Sequence, residues 1–225
     1  MKNVFVVDSS SLISLSTSCL FDIMKELCKE LKMRLVISKA VLDESVRNPL
    51  RIKRFELNAL RINKGISDGW LEVKKLSKEK QCFAREIMET ANSCFLSKHG
   101  HLKIIQLGES EILALAISIN AKGIIIDERT TRMIIEEPEK LRRLLQKRHG
   151  QRIIMNKERV KFFKKNFGKL TIARSSELIA LAYEKGLLQK TLGEDKEVLK
   201  AALYSLKYNG CSLSSEEIER FARNA

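Results

Sequence analysis

The sequence predicts an α/β fold: a three-layer α/β/α sandwich on a mainly parallel sheet of four or five strands, with helical insertions and a helical C-terminal tail. Two observations carry this. The short apolar runs "VFVV" (Val4–Val7), "RLVIS" (Arg34–Ser38) and "GIII" (Gly123–Ile126) show no in-out alternation, so both faces of each strand are covered. Between them lie segments with apolar residues at helical spacing, and strands that alternate with helices build parallel sheets. Composition agrees: 44% of the 225 residues are hydrophobic, enough for a full core.

Taken in order, Val4–Val7 is the first strand. Leu12 to about Leu31 is helical, with a break near Ser16–Ser18; Leu20, Ile23, Met24, Leu27 and Leu31 form its apolar stripe. "RLVIS" is the second strand, and "KAVLDESVRN" a helix closed by Asn48 and Pro49. Arg51–Lys64 is an amphipathic helix, and "GWLEVKKL" around Trp70 a short strand or hairpin arm. Lys78–Lys98 reads as helical throughout. Gly108–Gly123 is a helix with a glycine stop, followed by the strand Gly123–Asp127. "ERTTRMIIEE" is a helix ending at Pro138, and two basic helices flank His149–Met155. "KLTIARSS" is a further strand, and "SELIALAYEKGLL" a helix stopped by Gly186. The tail, Asp195–Ala225, reads as two short helices joined at Asn209–Gly210, the second capped by "SSEE" (Ser214–Glu217). Residues 1–190 are expected to form the main domain and residues 191–225 a helical extension.

The apolar start is too short, and too soon broken by Asp8 and serines, for a signal peptide. No run approaches the roughly 20 apolar residues of a membrane span. The expectation is a cytoplasmic protein. Five scattered cysteines without a CxxC pair suit a reducing compartment rather than a disulfide framework. Cys82, Cys94, His99 and His101 are the one group that could surround zinc, but their spacing matches no common zinc module. The plainer expectation is two buried thiols and two loop histidines.

Net charge is +14. Much of the excess sits between Glu139 and Lys169, where Glu139 and Glu158 are the sole acids. Lys140, Arg142, Arg143, Lys147, Arg148, Arg152, Lys157, Arg159, Lys161, Lys164 and Lys165 are the candidate nucleic-acid-binding residues there. A solvated helix face is the alternative for the same charges.

Ligands bind beyond the carboxyl ends of strands in an open parallel sheet. Asp8 ends the first strand and Asp127 ends "GIII"; Glu44 lies on the helix after the second strand, and Glu109 opens the helix leading to Asp127. Each acid alone also fits a structural role: Asp8 and Asp127 as helix caps, Glu109 in a first helical turn, Glu44 on a surface. Together at one edge they would repel unless neutralised, and oxygen-only ligands suit Mg²⁺ or Mn²⁺. Such an ion polarises phosphodiesters, and a basic surface beside it would hold the nucleic-acid backbone.

With these residues in place, "VFVVDSSSLI" resembles the first strand and acid of PIN-domain nucleases. "VISKAVLDESV" resembles their second strand and second acid, with Val41 and Glu44 at the matching spacing. "GESEILALAISINAKGIIIDERTTR" is similar to the third and fourth acid segments, closest to the prokaryotic and archaeal, VapC-related branch. "LTIARSSELIALAYEKGLL" looks like that branch's last strand and helix. The resemblance implies a PIN-like fold and a Mg²⁺- or Mn²⁺-dependent endoribonuclease acting on single-stranded or structured RNA, by in-line attack of water that leaves a 5′-phosphate and a 3′-hydroxyl. It implies Asp8, Glu44, Glu109 and Asp127 as catalytic metal ligands, with Glu128 and Glu111 as further candidates and Ser10 supporting Asp8. The chain departs from the pattern at Ile125, where many PIN domains carry Thr, and by what the resemblance marks as insertions in residues 1–190, at about 65–106 and 138–168, the second being the basic helical arm. The departure at Ile125 leaves open a nucleic-acid-binding module with little or no catalysis. A toxin paired with a small antitoxin-like protein is a third reading, and a homodimer is a candidate assembly; no membrane partner is expected.

Overall fold

The computed structural model describes residues 3–193, 195 and 197–224. Met1, Lys2 and parts of the expected tail (residues 194, 196 and 225) lie outside the described residues. Five strands form one parallel sheet: β1 (Val4–Val7), β2 (Arg34–Ser38), β3 (Leu71–Lys74), β6 (Gly123–Ile125) and β8 (Thr171–Ala173), ordered β3-β2-β1-β6-β8. The sheet is covered by helices, as the unalternated apolar runs require: β1 is buried along its whole length. The chain moves outward from β1 to β2 and β3, then returns to the other side of β1 for β6 and β8. The order therefore reverses between β1 and β6, the switch point at which α/β sheets bind ligands.

The helical stretch after β1 is two helices, α1 (Ser9–Thr17) and α2 (Phe21–Glu30), broken close to where the serines predict. After β2, α3 (Lys39–Leu42) widens into a π turn over Asp43–Arg47 and a 3₁₀ turn at Pro49–Arg51. Then comes α4 (Lys53–Ser67). Leu71–Lys74 pairs with β2 as a strand of the main sheet.

One expectation is corrected. The helix α5 (Lys78–Asn92) does not run to Lys98. Its last residue, Asn92, accepts hydrogen bonds from the Ile104 and Ile105 amides and donates to the Ile105 carbonyl, which pins a returning segment against the helix end. The residues beyond form a hairpin, β4 (Phe95–Ser97) and β5 (Gly100–His101), and β4 also pairs with β7 (Ile154–Met155). Gly100 adopts φ +115, open to glycine and rarely to other residues, so the hairpin turns tightly there.

The helix α6 (Leu107–Ser118) buries Ile112 to Ala116 without interruption, and so is buried all round. Gly123 opens β6 because a Cβ there would lie 2.1 Å from the Thr171 carbonyl oxygen. The helices α7 (Arg129–Glu136), α8 (Pro138–His149) and α9 (Lys157–Phe167) follow. The basic pair α8 and α9 is anchored by Leu141, Leu145, Val160, Phe163 and Phe167, all buried. Last come α10 (Ser175–Glu184), α11 (Leu187–Leu192), which the sequence merges with α10, and α12 (Val198–Tyr208) and α13 (Ser215–Asn224). Leu199, Leu203 and Leu206 bury α12 in the common core.

Candidate metal centre at the switch point

Asp8 leaves β1 with 5% of its surface exposed. It caps α1: its Oδ2 accepts from the Ser10 amide (3.2 Å) and from the Ser10 hydroxyl. The cap role and the pocket role thus fall on one residue. Burial, aided by the nearby Glu109 charge, pushes the Asp8 carboxyl up to about 6 against the opposing hydrogen bonds from Ser10. Glu109 lies in the first turn of α6, where its Oε2 accepts from the Gln106 amide (2.9 Å). Glu44 stands on the π turn, exposed, with Oε2 accepting from the Ser9 hydroxyl (2.8 Å). Its Oε1 closes on Gly108, where a Cβ would approach to 3.2 Å, so α6 and the π turn meet because position 108 has no side chain. Glu111 belongs to the same neighbourhood: burial, then Glu44 and Asp43, raise its carboxyl. Asp8, Glu44, Glu109 and Glu111 therefore share one edge of the sheet.

Asp127 is placed differently. It is 1% exposed. Its Oδ1 accepts from the Ser175 amide (2.8 Å), and its Oδ2 accepts from the Ser14 hydroxyl (2.7 Å) and the Ser175 hydroxyl (2.6 Å). The carboxylate joins the α10 N-terminus to α1, with both oxygens engaged. Glu128 is engaged too, capping α7 through Thr130 (2.8 Å) and Thr131 (2.6 Å) amides.

Among the described residues, no three His, Cys, Asp or Glu side chains form a ready metal set. Asp8, Glu44 and Glu109 each retain one oxygen without a hydrogen-bond partner there, and three hard carboxylate donors suit Mg²⁺ or Mn²⁺. By donor chemistry alone these three suit such a cation, without being gathered into a ready set; Asp127 and Glu128 have both carboxylate oxygens engaged. The four zinc candidates are not brought together either. Cys94 is buried with its thiol on the Thr90 carbonyl, Cys82 is exposed on α5 instead of buried, and His99 and His101 are exposed at the hairpin.

Several partners in this region escape sequence reasoning. Ser9, Ser14 and Ser175 hold the acids, and the signal for them was serine recurring inside apolar helices. Arg174 is buried and bonds Glu177, Glu217 and the Ser212 carbonyl, tying α10 to α13. Burial alone would raise the Glu217 carboxyl; hydrogen bonds from Ser214 and Arg174 hold it at about 2. On the basic helices, Lys140, Arg142 and Lys161 pair with Glu137, Glu139 and Glu158. Arg159 donates to Ser93. Arg143, Lys147, Arg148, Arg152, Lys157, Lys164 and Lys165 are exposed, with no ion pair among the described residues.

The fold and this edge define an α/β protein with an acidic mouth at its switch point. Within that class the chain belongs to the PIN domain family, whose profile matches residues 4–139. PIN domains are generally nucleases and typically act with divalent metals. No curated protein and no solved structure matches the chain. Among the described residues no helix is long and apolar enough to cross a membrane.

Proposed function

We propose that the chain is a divalent-cation-dependent endoribonuclease whose reaction centre is the mouth formed by Asp8, Glu109 and Glu44. The observation that carries the reading is the Asp8–Glu109 apposition. Asp8 is a buried carboxylate at the switch point with the Glu109 charge near enough to raise it, and neighbouring like charges gain from a cation beside them. Asp8, Glu109 and Glu44 would hold Mg²⁺ or Mn²⁺, which supplies charge neutralisation and activation of water toward the phosphodiester. The chain's own groups do the positioning. Ser10 orients Asp8, Ser9 orients Glu44, and the Gln106 amide fixes Glu109. The unpaired cations of α8 and α9, Arg143, Lys147 and Arg148 among them, would attract the RNA backbone.

The test is cleavage of an end-labelled RNA with Mn²⁺ or Mg²⁺, by the wild type and by Asp8→Asn. Cleavage retained by a folded Asp8→Asn protein would sink the assignment. The saturated Asp127 favours a second reading, an RNA-binding PIN module with little catalysis. On that reading the wild type binds RNA and leaves it intact with either cation.

A further inference from the structure

A separate cleft of about 640 Å³ opens between α7 and the C-terminal helices α12 and α13. That volume is within the range of small-ligand pockets, roughly 300–1,000 Å³. Its cations are Arg129 and Arg132 from α7, Lys140 from α8, Lys207 from α12 and Arg220 from α13. Its two acids are already neutralised: Glu137 pairs with Lys140, and Glu217 with the buried Arg174. Arg129, Arg132 and Arg220 make no ion pair or hydrogen bond among the described residues. Unpaired guanidinium groups converging on a concavity suit phosphate oxygens, which they bind bidentately.

A second observation points beyond an isolated phosphate. Tyr208 is 78% exposed, stacked on Tyr204 with ring centroids 6.2 Å apart. The Lys207 ammonium, which lines the cleft, lies 5.8 Å from the Tyr208 ring, so this largely exposed ring stands beside the cleft. Exposed aromatic faces next to cationic grooves are platforms on which unpaired bases stack. The cleft also adjoins the acidic edge. Its lining residue Ser212 donates from its amide to the Asp127 carbonyl (3.3 Å), and β6, which leads into Asp127, neighbours β1, which leads into Asp8.

We infer that this cleft binds a single-stranded RNA segment, its phosphates on Arg129, Arg132 and Arg220 and a base on Tyr208. The C-terminal helices, beyond the residues matched to the family, thereby become part of the substrate surface. The inference rests on the nuclease reading for the choice of RNA alone.

The experiment is fluorescence anisotropy of a labelled 12-nucleotide oligouridylate with the full chain, in chelator so that no cleavage occurs, over a series of KCl concentrations. The triple variant Arg129→Gln/Arg132→Gln/Arg220→Gln should bind at least tenfold more weakly. Its plot of log affinity against log salt should be shallower by about 2, since each phosphate contact on a single strand contributes roughly 0.7. Tyr208→Ala should weaken binding about tenfold with the salt slope unchanged, and it keeps the inference testable if the triple variant folds poorly. Uridine monophosphate and inorganic phosphate should compete at least tenfold less well than the unlabelled strand.

Three results would overturn the inference. The wild type does not bind the strand, a folded triple variant binds within twofold of wild type, or a mononucleotide competes as well as the strand. Binding lost in the triple variant, with no cleavage under any divalent cation, leaves the cleft standing and removes the nuclease. Cleavage that depends on Asp8, with binding unmoved by the triple variant, does the reverse.

Discussion

Two neighbouring strands end on an aspartate, and the two aspartates have opposite surroundings. The strands β1 and β6 run side by side with Val7 opposite Ile125, and Asp8 donates its amide to the Ile125 carbonyl (2.9 Å). Asp8 faces Glu109, has one oxygen without a partner, and holds its proton up to about pH 6. Asp127 accepts three hydrogen bonds and joins α1 to α10. Identical side chains at adjacent strand ends thus differ in what surrounds them: one keeps an oxygen without a hydrogen-bond partner, the other has both oxygens engaged. A strand-terminal carboxylate is therefore assigned a role by its donors, more than by its place on the sheet.

The strongest way to break this contrast is activity. Asp8→Asn should lower RNA cleavage by about 10³-fold, roughly 4 kcal/mol of barrier, in a single-turnover assay at saturating Mn²⁺. Asp127→Asn, corrected for its folded fraction, should retain much more; equal losses at the two positions would erase the distinction drawn here. Next in size is stability. Asp127→Ala leaves the Ser175 amide and hydroxyl buried without their acceptor and the Ser14 hydroxyl with the Ser11 carbonyl alone, and should cost about 3 kcal/mol in urea unfolding. A loss below about 1 kcal/mol would mean that the carboxylate is not the joint between α1 and α10.

Asp8 should behave in the opposite sense. Its folded value, about 6, lies above the unfolded 3.8, so the native state binds the extra proton and stability falls as pH rises through that window. In chelator, Asp8→Asn should therefore be more stable than wild type by about 3 kcal/mol at pH 8, with the gain gone below about pH 4. Mn²⁺ should raise the wild-type melting temperature at pH 8 and leave that of Asp8→Asn unmoved. A melting temperature insensitive to Mn²⁺ in both proteins would remove the metal from the mouth. The smallest effect is expected at Ser9→Ala, which frees Glu44: a stability change under about 1 kcal/mol at an exposed hydrogen bond, with cleavage slowed several-fold.

Much of the fold was legible because burial on both faces of a strand leaves an unalternated apolar run, and β1 and β2 fall on the predicted residues. The hairpin at residues 95–101 was not legible. Its strands are two and three residues long, too short to show a period, and what ends α5 is the Asn92 side chain reaching residues 104 and 105. The acidic mouth was legible in part. Asp8, Glu44 and Glu109 could be placed at one edge by strand order and helix starts, and Glu111 was a rival to Glu109 that proves to share the neighbourhood. The saturation of Asp127 could not be read, because its donors lie 48 and 113 residues away in sequence.

The basic charge was visible as composition, yet the cationic cleft draws on residues from Arg129 to Arg220 that no local pattern connects. The sequence alone determined the parallel α/β class, the ends of its central strands and the acids that lie there, because hydrophobic periodicity and strand termination are local properties. The tertiary structure decided which of those acids is satisfied and which is left facing a like charge, because the donors that settle a carboxylate's state arrive from distant helices.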